Sequence, residues 1–113
     1  MLTKRNPLNL NPLQLRTLTL LQALALLPDA KPGETEGSVL LTTLPDPHGD
    51  HFHLGDAVVA AKDATGLRNP AVWAALERKG LVTTQFPQSA TLLAAGRDYD
   101  TGLGDAILHR SSH

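Results

Sequence analysis

Two hydrophobic spacings alternate along the chain, and each marks a kind of element. Leu13, Leu20, Leu24 and Leu27 fall on one helical stripe, with Leu21 at its edge. They follow Asn11-Pro12, a capping residue and a proline suited to the first helical position, and Pro28 closes the run. A helix is therefore expected from Asn11 to about Leu27. Leu15, Leu18 and Leu26 lie on roughly the opposite side. A helix that is apolar nearly all round is either central or covered by something else. Either the domain and the N-terminal arm sandwich it, or the second stripe is a homodimer contact. After the Pro- and Gly-rich loop 28–37, alternation by two takes over. Ser38 to Leu44 is expected as a strand, Pro45 to Asp50 as a turn, and His51 to Leu54 as a strand with Phe52 and Leu54 opposite His51 and His53. Together Ser38 to Leu54 read as one β-hairpin with a polar tip.

From Gly55 to Val82 the pattern predicts two helices, a tight turn and a strand. Asp56 is placed to cap a helix over Ala57 to Ala64, with Gly66 as its stop. Asn69 and Pro70 repeat the cap-and-proline signature, so a second helix is expected from Pro70 to Lys79, ended by Gly80. Val72, Ala75 and Leu76 share its inner side, with Trp73 at the margin. Leu81 to Phe86, the turn Pro87-Gln88-Ser89 and Ala90 to Ala94 read as a second hairpin. Gly96 to His113 reads largely as a tail, in which Ala106-Ile107-Leu108 could dock. The expected division is an N-terminal arm over 1–10, a domain over 11–95 and a C-terminal tail over 96–113.

The length of 113 residues suits one small domain, and 42% hydrophobic with only 4% aromatic residues implies a core of Leu, Val and Ala. There is no cysteine, which excludes disulfides, thiolate metal sites and cysteine nucleophiles. No apolar run approaches the roughly 18 residues of a membrane span. No secretory signal stands out, so a cytoplasmic location is expected. The net charge of −1 means that any phosphate-binding surface has to come from local clustering.

The order helix, hairpin, helix, helix, hairpin resembles the winged helix-turn-helix fold. Its carriers are Asp56 to Gly66, the turn Gly66-Leu67-Arg68, the helix Asn69 to Lys79, and Gly80-Leu81-Val82 opening a wing. The segment Leu76-Glu77-Arg78-Lys79-Gly80-Leu81-Val82 is similar to the close of the recognition helix in bacterial winged-helix regulators. The fold class expected is α+β, a winged helix-like three-helix core with small antiparallel β-hairpins. The resemblance implies binding of double-stranded DNA and a role in transcription regulation. Arg68 and Asn69 would then start the reading helix and Arg78 would sit near its far end. Lys62 and Lys79 would add phosphate contacts, and Lys4 and Arg5 would form a basic arm on a homodimer. The rest of the outward face is Ala71, Ala74 and Glu77, and the wing tip carries no cation. That neutrality supports a second reading, an interaction module that binds protein without DNA. Under it Arg68, Arg78 and Lys79 are solvated surface.

His48, His51 and His53 lie within six residues, beside Asp46 and Asp50. A His-x-His pair on one strand face can chelate a metal, with His48 or a carboxylate as third ligand, and such a set suits Zn²⁺, Ni²⁺ or Cu²⁺. The alternatives are exposed imidazoles at a polar tip and a contact that responds to pH. No phosphate-cradling loop or nucleophile elbow occurs, and Asp98, Asp100 and Asp105 lack the closing Glu of a calcium loop. No enzyme activity is expected.

Overall fold

The structure, a computed structural model, describes residues 6–28, 30–42, 49–55, 57–85 and 89–110. Its centre is helix α1, Pro12–Ala25. Asn11 caps it as expected, and the cap is reciprocal. The Asn11 side chain accepts from the Gln14 amide at 2.8 Å, and the Gln14 side chain accepts from the Asn11 amide at 3.0 Å. Thr17 to Leu21, Ala23 and Leu24 are all buried. Leu18 is 0% exposed within the single chain, so it offers no surface to a dimer partner; Leu15 is half-buried and Leu26, beyond the helix end, is 79% exposed.

Two antiparallel sheets flank this core. The strands in chain order are β1 (Lys31–Pro32), β2 (Val39–Leu41), β3 (His51–Leu54), β4 (Ala57–Ala60), β5 (Val82–Gln85), β6 (Ser89–Leu92) and β7 (His109–Arg110). The first sheet runs β1-β2-β6-β5 and the second β3-β4-β7. The hairpin expected over Ser38 to Leu54 is therefore not formed. Leu40 of β2 pairs with Thr91 of β6, while His51 of β3 pairs with Ala60 of β4. The turn expected at Pro45 to Asp50 falls largely outside the described residues.

The helix expected over Ala57 to Ala64 is also replaced. Residues 57–60 are β4, and 3-10 turns follow at Ala61–Asp63 and Thr65–Arg68. Leu54 pairs with Ala57, which leaves two residues to connect the strands, and Gly55 takes φ +64°. Glycine reaches that left-handed region without the steric cost of a Cβ, as two-residue hairpin loops require. The adjacent Val58 and Val59 favour an extended backbone, and burial alternates along β4 with Ala57 and Val59 inside. The helix pair on which the winged-helix resemblance rests is thus reduced to its second member. Asp56, expected as a cap, lies outside the described residues.

That second helix, α2, spans Pro70–Arg78. Asn69 caps it by accepting from the Ala71 amide at 3.0 Å, and Gly80 leaves it at φ +78°. Trp73 is not marginal: it is 1% exposed, and its Nε1 donates to the Leu67 carbonyl at 3.1 Å. The second expected hairpin is present as β5 and β6, with Thr83 opposite Thr91. Its tip, Phe86, Pro87 and Gln88, lies outside the described residues.

Both ends of the described chain fold back onto the core. Within residues 94–110, α3 (Ala94–Asp98), α4 (Gly104–Ile107) and β7 form where a tail was expected. The Gln22 amide donates to the carbonyls of Gly96 at 2.8 Å and Tyr99 at 2.7 Å. The buried hydroxyls of Thr19 and Thr101 are hydrogen-bonded at 2.6 Å. Residues 6–10 form a turn instead of an extended arm, with Asn6 and Asn9 at φ 59° and 57°. Asn6 clasps both backbone groups of Leu10 at 2.8 Å. The Tyr99 hydroxyl donates to Asn6 Oδ1 at 2.7 Å and accepts from the Leu8 amide at 3.0 Å.

One core unites these parts. Leu18, Leu20 and Leu21 of α1 join Leu41, Val82 and Leu92 of the first sheet, Phe52, Leu54 and Val59 of the second, and Trp73 and Leu76 of α2. The fold is α+β. Among the described residues no helix is long and apolar enough to cross a membrane.

Candidate functional site

Two of the residues expected to read DNA are engaged within the fold. Asn69 is committed to capping α2. The Lys79 ammonium donates to the Leu8 carbonyl and ties α2 to the N-terminal turn. Lys62, Arg68 and Arg78 are exposed, on a 3-10 turn, at the end of the next turn and in the last turn of α2. Lys4 and Arg5 lie outside the described residues. The outward face of α2 also presents Ala71, Ala74 and Glu77. Glu77 serves the fold as well. Its carboxylate accepts from the Thr84 amide at 3.2 Å, covering part of the free edge of β5.

The histidine pair sits as its alternation predicts. Phe52 and Leu54 are buried, while His51 and His53 are exposed on the opposite face of β3. Their rings meet edge to face with centroids 5.5 Å apart. Asp50 Oδ1 lies 2.9 Å from His51 Nδ1. This contact holds the Asp50 carboxyl below its ordinary range, first through the hydrogen bond itself and then through its own backbone amide and the charge of His51. His48 lies outside the described residues. Among the described residues no three His or carboxylate groups are already arranged around one metal position.

A different surface has the shape of a binding site. The outer face of the first sheet and the loop after β1 enclose an open concavity of about 670 Å³, within the usual size range of ligand clefts. Its floor is the row Leu40, Thr91 and Thr83, which the β2-β6-β5 register places side by side. Thr42, Gln85 and Ser89 extend it. The inner residues of the same strands, Leu41, Val82, Ala90 and Leu92, are buried against the core. One side of this sheet is therefore packed and the other is open.

The wall of the concavity is firmly built. The Ser38 hydroxyl donates to the Thr35 carbonyl at 2.6 Å and accepts from its amide at 3.2 Å. The Gly33 amide donates to the Ser38 carbonyl at 2.9 Å. A Cβ on Gly33 would press on the Ser38 hydroxyl, which would have to shift from its bonds to Thr35. Arg97 of α3 donates to the Gly37 carbonyl at 2.9 Å and holds the far end of the loop. β2, β5 and β6 contain no charged residue; of the charges nearby, Glu34 stands exposed on the wall and Lys31 exposed on the edge strand. The sequence pattern alone does not reveal this face, because it joins β2 to the wrong partner. The alternation in Val82 to Gln85 and the paired threonines are its visible signal.

Comparison of the chain with protein-family models, curated proteins and solved structures gave no match.

Proposed function

We propose that the protein is an interaction module that binds a protein partner on the open face of the first sheet and does not read DNA. The observation that carries this reading is the charge distribution of that face. Leu40, Thr42, Thr83, Gln85, Ser89 and Thr91 form a neutral floor, with Glu34 on the wall and exposed Lys31 opposite Leu40 on the edge strand. Protein interfaces have charge-depleted centres and polar rims, whereas DNA-facing surfaces are strongly positive. Among the described residues the DNA reading draws support from exposed Lys62, Arg68 and Arg78, since Asn69 and Lys79 serve the fold. Few phosphate contacts give weak, strongly salt-dependent retention. A homodimer through this region would have to use Leu26, exposed just beyond α1, since Leu18 is buried within the chain; a change in the sedimentation coefficient on Leu26→Glu tests it.

The test is a co-purification series. Thr42→Lys with Thr83→Lys, both at exposed positions, should remove a partner that wild type and Ala71→Lys retain. Retention of wild type on duplex DNA at low salt, weakened by Arg68→Ala, would overturn the proposal in favour of the DNA reading.

A further inference from the structure

We propose that a depression between the end of α1 and the loop joining α3 to α4 binds an alkylguanidinium, the side-chain chemistry of arginine. It shares no lining residue with the concavity on the first sheet, and the proposal is independent of the protein-binding reading.

The depression measures about 530 Å³ and opens to solvent. Thr19, Gln22 and Leu26 reach it from α1 and its C-terminal cap. Asp100 and Thr101 come from the loop between α3 and α4, and Leu108 from the cap of α4.

The polar side chains here have spent their donors inside the fold. Gln22 Nε2 donates to the Gly96 carbonyl at 2.8 Å and to the Tyr99 carbonyl at 2.7 Å. Carbonyls only accept, so this orientation of the amide is forced and both of its hydrogens are used. Gln22 is left with Oε1, which takes no hydrogen bond among the described residues. Thr19 Oγ1 lies 2.8 Å from the Leu15 carbonyl and 2.6 Å from Thr101 Oγ1. Its one proton goes to the carbonyl, so the Thr101 hydroxyl donates to Thr19. Thr101 Oγ1 in turn accepts from the Leu103 amide at 3.3 Å. The Tyr99 hydroxyl donates to Asn6. Asp100 stands exposed, its carboxylate fixed by the Gly102 amide at 3.0 Å. A carboxylate has about four acceptor sites, so it takes a further donor alongside its present contacts.

Side chains that accept and do not donate, with one negative charge among them, select a ligand that donates and does not accept. Guanidinium has that character: N–H donors in a flat fork, no acceptor, and a charge that persists at any physiological pH. Its several donors suit separate acceptors such as the Asp100 carboxylate and Gln22 Oε1, whereas an ammonium is a compact, strongly hydrated point charge. Leu26, 79% exposed, and half-buried Leu108 offer apolar surface to the aliphatic stem.

A ¹H–¹⁵N NMR titration of the full chain tests the proposal. The probes are N-acetyl-arginine methylamide, agmatine, and N-acetyl-citrulline methylamide as the neutral isostere. The arginine probe should give saturable shifts at the Gln22 side-chain amide and at the Leu26 and Gly102 backbone amides, with Thr83 and Thr91 unmoved. Loss of the charge-assisted bond should weaken the citrulline probe about tenfold. Asp100→Asn, whose side-chain oxygen can still accept from Gly102, should weaken the arginine probe about tenfold as well. Leu26→Ser should weaken it about threefold through lost stem contact, and Asp50→Asn should leave it unchanged. Tighter binding of the methylamide assigns the site to a peptide-borne arginine, and tighter binding of agmatine to a free alkylguanidine. No saturable shift at these positions, citrulline binding as tightly as arginine, or wild-type affinity in both Asp100→Asn and Leu26→Ser would each overturn the proposal.

Discussion

Replacing Tyr99 by Phe removes one oxygen atom and asks whether both ends of the described chain are truly docked. The hydroxyl donates to Asn6 Oδ1 at 2.7 Å and accepts from the Leu8 amide at 3.0 Å, and both contacts are partly buried. Each such bond contributes about 1 kcal/mol net. The Leu8 amide loses its acceptor in the variant, while Asn6 keeps its two bonds to Leu10. The expected loss is about 1–2 kcal/mol, or a melting point lower by roughly 4–8 °C for a domain of this size. Urea unfolding of wild type, Tyr99→Phe, Asn6→Ala and the double variant measures it, with an unchanged m-value marking a pure stability effect. The cycle should give a coupling of about 1 kcal/mol between the two side chains. Stability within about 0.3 kcal/mol of wild type, with no coupling, would refute the docking and restore the reading of 96–113 as a tail.

Three further perturbations have definite signs. Gly66→Ala would put a Cβ 1.9 Å from Thr17 Oγ1, whose hydroxyl is bound to the Leu13 carbonyl; thermal melts should show a loss of about 1–3 kcal/mol, partly recovered by adding Thr17→Ala. Leu18→Ala should cost about 2–5 kcal/mol by leaving a cavity in the core, whereas Leu26→Ser should stay within about 0.5 kcal/mol, and the reverse order in chemical unfolding would mean that α1 is rotated from its position here. The Asp50 carboxyl is held below its ordinary value of 3.8, so what it contributes to stability is present above that pH and fades as pH falls through the lowered value. An NMR titration should show its pKa rising toward the ordinary value in His51→Ala; an unchanged pKa would deny the contact.

What the sequence discloses is local. The Asn-Pro pairs that open α1 and α2, and the glycine that ends α2, satisfy helix termini through neighbours in the chain, so their signals are readable without a fold. The β5–β6 hairpin is legible for the same reason. At Ala57 to Ala64 the alanines suggest a helical period, and that suggestion masks a stronger signal, a Gly-Asp dipeptide between two alternating runs. Strand partners lie beyond local pattern: alternation shows that Leu40 and Thr91 have faces, but not that they are neighbours. The docking of the C-terminal segment depends on hydrogen bonds from Gln22 to Gly96 and from Tyr99 to Asn6, across sequence separations of 74 and 93 residues. Polar anchors of this kind leave no periodic trace. The open face of the first sheet is hidden on both counts, because it exists only once β2, β6 and β5 are side by side.

The most direct measurement is site-specific photo-crosslinking in cells. A photoreactive amino acid is placed either at exposed Thr83, on the neutral sheet face, or at exposed Ala71, on the outward side of α2. Binding of a protein on the sheet predicts a discrete protein adduct from position 83 and no nucleic-acid adduct from position 71. Nucleic-acid adducts from position 71, with none of protein from position 83, would contradict it.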